Sequence, residues 1–170
     1  MTRLYLACYR GRSWFPSRLI QWQTWSKYSH VSMAAHDTDS GTWANVEAWH
    51  PDGVRETDGL LIGHDPKTRV DLFEYVVPLT EFQILVALSF ARAQAGDPYD
   101  WRGCLSFVLR RRMQRDGAWF CSELVAESML RAGRPIYNCD PWKVSPGMVA
   151  ISPVVRRAAA VISGLLWWTV

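Results

Sequence analysis

The chain has 170 residues, of which 49% are hydrophobic and 21% charged; that suffices for one self-supporting core and is far from a disordered composition. Its net charge of +3 is carried almost wholly by arginine, with no basic stripe or nucleic-acid motif, so no nucleic-acid partner is expected. Cys8, Cys104, Cys121 and Cys139 lack CxxC or Cys/His metal spacing and follow no export signal. The expectation is therefore free thiols with no metal and no cofactor, in a cytoplasmic or phage-associated protein that another system delivers to the cell envelope.

In chain order, "RLYLACYR" predicts a first strand. "SWFPSRLIQWQTWS" carries Phe15, Leu19, Ile20 and Trp22 at helical spacing, with Pro16 tolerated in a first turn. "YSHVSMAAH" and "TWANVEAWH" predict two strands of a hairpin joined by "DTDSG". After a polar, glycine-containing stretch, "VDLFEYVVP" predicts another strand. Thr80 can cap a helix whose apolar stripe is Phe82, Leu85, Val86 and Phe90, stopped by Gly96.

"DWRGCLSFVLRRRM" predicts a shorter helix, with Arg110, Arg111, Arg112 and Arg115 complementing the dipole at its end. "CSELVAESMLRAG" predicts another, with Cys121, Leu124, Val125 and Met129 on one face, a Glu127 to Arg131 pair, and Gly133 as its stop. "GMVAISP" reads as a late strand. Residues 154–170 read as a hydrophobic C-terminal helix or tail of the same single domain, 1–170. Its last 13 residues are uncharged but fall short of the roughly 20 needed to span a bilayer. Packing on this domain or a partner is expected there. Peripheral membrane contact through Leu165, Leu166, Trp167 and Trp168 is the alternative. No strict βαβ alternation appears, so the class is α+β.

Cys121 falls in the first turn of its helix, where backbone N–H groups and the dipole favour a thiolate, although a lone cysteine is more often simply buried. His30, flanked by Ser29 and Ser32 rather than by an apolar run, can serve as its base. Glu47 is the natural orienter of that imidazole, and register decides whether it reaches. A four-residue loop, Asp37 to Ser40, puts Glu47 opposite His30, whereas a five-residue loop puts Ala48 there. Asn45 and His50 are fallbacks. His36, His50 and His64 read as solvated loop-end side chains, and no motif supports a zinc site built from them.

The fragments "WFPSRLIQWQTWSKYSHVS", "VEAW", "DGV", "GDPYDWRG", "WFCSELVAE" and "SPGMVAISP", in this order over about residues 10 to 153, resemble the circularly permuted branch of the NlpC-type papain-like cysteine hydrolases, relatives of lecithin retinol acyltransferase. The resemblance implies a permuted papain-like fold: an antiparallel sheet or half-barrel packed against helices, with the nucleophile at a helix N-terminus. It implies Cys121 as nucleophile, His30 as base and Glu47 as third polar residue. Tyr99 matches a tyrosine near the nucleophile that helps bind substrate or the oxyanion; Tyr28 and Ser122 are further candidates for that role. Arg102 stands where the family often has glycine.

The implied activity is a thiol hydrolase cleaving a cell-wall peptide or related amide through a thioester. Two alternatives stay open. One is a lipid acyl hydrolase or acyltransferase using the same site on an acyl-lipid. The other is a binding or structural component of a phage particle with a vestigial site.

Overall fold

The computed structural model describes residues 1–11, 21, 25–65, 67–101, 117–162 and 165–168. The expected helix at 13–26, the one at 100–113 with its arginine cluster, and Cys104 fall outside the described residues, except for isolated positions. Seven strands are described: β1 (Thr2–Arg10), β2 (His30–Asp37), β3 (Trp43–Trp49), β4 (Gly53–Thr57), β5 (Arg69–Tyr75), β6 (Val155–Ile162) and β7 (Leu165–Trp168). Three α-helices accompany them: α1 (Glu81–Ala93), α2 (Cys121–Arg131) and α3 (Pro146–Ile151), with a 3-10 turn at Pro141–Lys143 before α3.

All neighbouring strands pair antiparallel, in the order β4-β3-β2-β1-β5-β6-β7. The pleat sorts side chains onto two faces. Leu4, Leu6, Cys8, Val31, Met33, Val46 and Ala48 form one core with Ile84 and Leu88 of α1, Leu124, Val125 and Met129 of α2, and Val149 of α3. Tyr5, Ala7, Tyr9, Ala34, Val70 and Leu72 form a second core on the opposite face, beneath Leu60. The α+β class stands. The expected papain-like half-barrel does not: the sheet is a single open array with β4 and β7 at its edges, and the described helices cover one face.

Local signals explain where the reading succeeds and fails. Thr80 caps α1 through a reciprocal pair of bonds. Its hydroxyl accepts from the Gln83 backbone N–H at 3.2 Å, and the Gln83 side-chain oxygen accepts from the Thr80 N–H at 3.0 Å. The buried stripe of α1 is nevertheless Ile84, Ala87, Leu88 and Ala91, while Phe82 and Leu85 are 72% and 61% exposed. Both stripes have helical spacing, and the one with small Ala87 and Ala91 lets the helix approach the sheet.

"GMVAI" is helical rather than extended because Ser145 accepts from the Met148 N–H and Pro146 occupies the first turn, a start signal that outweighs its β-branched content. The C-terminal segment, expected as a helix or tail, is instead the β6-β7 hairpin with Ile162 opposite Leu165. The side chains of Leu165, Leu166, Trp167 and Trp168 lie outside the described ones. No helix among the described residues is long and apolar enough to cross a membrane.

β4 lies within the polar, glycine-containing stretch for which no element is expected. Gly53 opens it with φ +80°, and a Cβ there would stand 2.1 Å from the Asp97 carbonyl oxygen, the same oxygen that accepts from the Val54 N–H at 2.8 Å. Only glycine tolerates both the left-handed conformation and that close approach.

Candidate functional site

The β2-β3 hairpin pairs His36 with Trp43 and Met33 with Val46. Six residues therefore separate the paired positions, against the four or five expected, because Gly41 and Thr42 close the turn through the Asp37 backbone. Continuing this register sets Ser32 opposite Glu47, so Glu47 meets His30 on the diagonal of the same face. Diagonal neighbours are within reach of long side chains. The Glu47 Oε2 to His30 Nε2 distance is 2.8 Å.

Glu47 is fully buried and uses both oxygens. Oε2 also takes a hydrogen bond from His64 Nε2 at 3.0 Å, and Oε1 takes two from Arg55, Nε at 3.0 Å and Nη2 at 2.8 Å. An ionised carboxylate only accepts, so each imidazole donates from Nε2, and a neutral ring there has its lone pair on Nδ1. Arg55 stands directly opposite Glu47 in the β3-β4 ladder. Its guanidinium lies where a Gly63 Cβ would be, 2.8 Å from Nη2, which explains glycine beside His64.

Aromatic rings wall the cluster. Tyr9 stacks on His64 at 4.4 Å and meets His30 edge-on at 5.0 Å, and Trp49 meets His30 at 5.2 Å and His64 at 4.2 Å. A cavity of about 400 Å³ opens over it, lined by Tyr9, His30, Trp49, His50, His64 and Asp65 among others.

Burial pushes the His30 pKa below its ordinary 6.5, with Glu47 opposing the shift. Burial alone would raise the Glu47 pKa, but the bonds from His30 and His64 outweigh it and hold the carboxyl well below its usual range. Both shifts make the fold acid-sensitive. Between its folded pKa and 6.5, His30 takes a proton in the unfolded chain only, so stability falls as pH drops through that window. Glu47 contributes stability that is complete above 4.5 and is lost below it. Denaturant titrations from pH 8 to 4 are expected to give a stability that declines first below about pH 6.5 and more steeply below 4.5. His30→Gln is expected to remove the first decline and keep the second.

Cys121 begins α2 as expected and is fully buried. It lies close enough to Cys8 that its charge helps, after burial and Asp71, to raise the Cys8 pKa. Cys8 pairs with Val31, and the adjacent pair is Tyr9 with His30. Cys121 and His30 thus sit at the same end of the sheet. The thiol approaches from the helix-covered side, whereas His30 follows Tyr9 onto the opposite side of the pleat.

Tyr99 bridges to Trp119 and sits 5.9 Å, ring to ring, from Phe120, the residue preceding Cys121. The Tyr28 and Ser122 hydroxyls are committed to the fold: Tyr28 donates to Asp71 at 2.7 Å and Ser122 to the Val144 carbonyl. Asn45 accepts from Ser32 at 2.6 Å instead of meeting His30. His50 packs against Trp101 at 4.4 Å, and His36 stacks on Trp43 at 4.4 Å.

Sequence reasoning misses His64 and Arg55. His64 belongs to a loop whose docking onto β1 has no local signature. Arg55 is hidden because β4 is short and lies in a polar, glycine-containing stretch. The same three side chains, His30, Glu47 and His64, present ligand atoms all within 4.8 Å of one another.

No known family profile matches the chain, and no curated protein does. Among solved structures it is similar to a metalloprotein, YiiX of Escherichia coli O157:H7, described as DUF1105. Identity is 20% over 90% of this chain and 93% of that one, with a TM-score of 0.70. The shared fold is therefore that of the DUF1105 protein. This replaces the permuted papain-like assignment, which rests on short fragments and not on the order in which the strands pair.

Proposed function

We propose that the chain is a thiol hydrolase of carboxylic amides, with Cys121 as nucleophile, His30 as base and Glu47 as the group that orients the base. The observation that carries this reading is the 2.8 Å bond from His30 Nε2 to a buried carboxylate. It fixes the ring and its tautomer and leaves Nδ1 free to accept a proton. Cys121 stands in the first turn of α2 at the same end of the sheet but on its helix-covered face, so the reaction requires thiol and imidazole to meet around the end of β2.

In the reaction, Nδ1 of His30 takes the thiol proton as sulfur forms a bond to the amide carbonyl carbon. The backbone N–H of Cys121 is one donor to the developing oxyanion. Collapse breaks the C–N bond, and the proton passes from His30 to the leaving amine. Water, deprotonated by the same nitrogen, then cleaves the thioester to release the acid and restore the thiol. Tyr99 is placed beside the start of α2, where it can border the acyl group.

Iodoacetamide labelling read by peptide mass spectrometry tests this reading in the full chain. Cys121 is expected to react at least tenfold faster than Cys8, Cys104 or Cys139 at pH 7. Equal rates at all four thiols would dismiss the proposal.

A metal centre is the second reading, favoured by the close approach of His30, Glu47 and His64 and by the similarity in fold to a protein described as a metalloprotein. Two imidazoles and one carboxylate are a donor set suited to zinc and other borderline divalent ions.

A further inference from the structure

We infer that the turn at Trp25, with Lys27, Arg10 and Arg69 beside it, docks the protein on a lipid surface rich in anionic headgroups. Trp25 is 94% exposed and has φ +49°, a left-handed conformation that a bulky side chain adopts only at a cost. Packing within the described chain does not offset that cost, since the indole is left in solvent. A backbone outlier of this kind marks a segment shaped for a contact outside the chain.

The turn is fixed at its base. The Ser26 N–H donates to the Gln21 carbonyl at 3.0 Å, and the Ser26 hydroxyl accepts from the Tyr28 N–H at 3.1 Å. The Gln21 side-chain amide donates to the Gly11 and Lys27 carbonyls at 3.0 and 2.8 Å, and the Ser29 N–H donates to the Tyr9 carbonyl at 3.0 Å. Ser26 lies so close to Gly147 of α3 that no side chain fits between them. Because the turn is already ordered, seating its indole on a surface costs little further conformational entropy.

Positive charge surrounds it. Arg10 and Lys27 both stand over the Tyr28 ring, 5.4 and 5.3 Å from its centroid, and Arg10 is the cross-strand partner of Arg69. Lys27 is exposed, and Arg10 and Arg69 are partly so. The carboxylate among them is the buried Asp71. Arg10 Nε donates to one of its oxygens at 2.6 Å, while Arg69 Nε stands 3.4 Å from the other without forming a hydrogen bond. Three cations thus face one carboxylate, and in the neighbouring turn Lys67 and Asp65 offset each other. The surplus beside the indole is positive.

A membrane fits this pairing better than a folded acidic partner does. Trp settles at headgroup level with its ring half in the apolar layer, and Lys and Arg are drawn by the negative potential of anionic lipid. An isolated, projecting indole can insert into a soft surface, whereas a folded partner needs a pocket to receive it. His30 opens β2 just after this turn and pairs with Tyr9, so docking brings that end of the sheet toward the headgroups.

The test sediments the full chain with vesicles of phosphatidylcholine alone and of phosphatidylcholine mixed with phosphatidylserine. Wild type is expected to bind the mixed vesicles at least about tenfold more strongly, and to lose that preference as salt is raised. Lys27→Glu and Trp25→Ala are each expected to weaken binding at least about fivefold, the order of gain that one cation brings near an anionic leaflet. Both side chains are exposed, so neither variant should shift the urea midpoint. Arg3→Glu makes the same charge change as Lys27→Glu at the opposite end of β1 and should alter binding by less than about twofold. Absence of binding overturns the inference, as does equal binding to neutral and anionic vesicles. Equal losses in Arg3→Glu and Lys27→Glu overturn it in favour of net charge alone, and full binding by Trp25→Ala overturns it by placing the contact elsewhere.

Discussion

Replacing Glu47 with alanine is expected to cost about 3–5 kcal/mol of folding stability, the range found when one partner of a buried ion pair is removed. Glu47 is fully buried and accepts four hydrogen bonds, from Arg55 twice and from His30 and His64. Alanine leaves a guanidinium and two N–H donors aimed at a void. Arg55 keeps Asp52 as a partner at 2.7 Å and the Ile62 carbonyl at 3.1 Å, and its side chain is 20% exposed, so the lower half of that range is favoured. Glu47→Gln preserves the volume and one acceptor but removes the charge, and should cost about 1–3 kcal/mol. Urea titrations of the three proteins at pH 7 measure both steps. Since a domain is stabilised by only about 5–15 kcal/mol in all, the alanine variant should be visibly closer to unfolding at 25 °C. A loss below about 1 kcal/mol would mean that the cluster is not held as a unit.

The parts of the fold that are legible in the sequence are those fixed within a few residues. α2 starts at Cys121, buries Leu124, Val125 and Met129, and pairs Glu127 with Arg131 at 2.7 Å, because spacing and charge order decide all three locally. The β2-β3 hairpin is legible as an element but not in register. Whether Thr42 belongs to the loop or to the strand depends on its carbonyl accepting from the Asp37 N–H, and turn formers alone do not dictate that bond.

The site follows the same division. His30 and Glu47 can be selected from strand position and chemistry, yet what makes the carboxylate a buried anion is Arg55 opposite it and His64 from a distant loop. Those contacts depend on how β4 and the loop carrying His64 dock onto the sheet. The strand order is also non-local: β5 pairs with β1 and β6 with β5 across long separations, and short motif fragments carry no information about such pairing. That is why a family resemblance built on fragments can point to residues that merit testing and still assign the wrong fold.

Arg55 changes what kind of pair His30 and Glu47 form. A carboxylate neutralised by a guanidinium attracts an imidazolium less strongly than a bare one, so the pair can tolerate a neutral imidazole in a dry site. The depressed His30 pKa agrees with this, since burial outweighs the pull of Glu47 and Arg55 itself adds to the lowering. A base that stays neutral down to mildly acidic pH suits removal of a thiol proton at pH 7.

The largest effect on chemistry is expected from His30. If Nδ1 is the base, His30→Ala should lower turnover on an amide substrate by about 10²–10⁴-fold, the usual worth of a positioned general base. The readout is the pH dependence of Cys121 alkylation. Wild type should show an acid limb with a midpoint below 6.5, because burial lowers the pKa of the imidazole and only its neutral form accepts the thiol proton. His30→Ala should abolish that limb and move reactivity up toward the pKa of an unassisted thiol, about 8.5 or higher in an apolar setting. Glu47→Gln should displace the limb in the other direction. The carboxylate raises the His30 pKa against the effect of burial, so its neutralisation lets that pKa fall further and carries the midpoint to more acidic pH. A structural role for His30 would change the amount of folded protein but leave the pH midpoint where it was. Opposite displacements in the two variants are therefore the signature of a base and its orienter, and a profile unchanged by either substitution would remove His30 from the chemistry of Cys121.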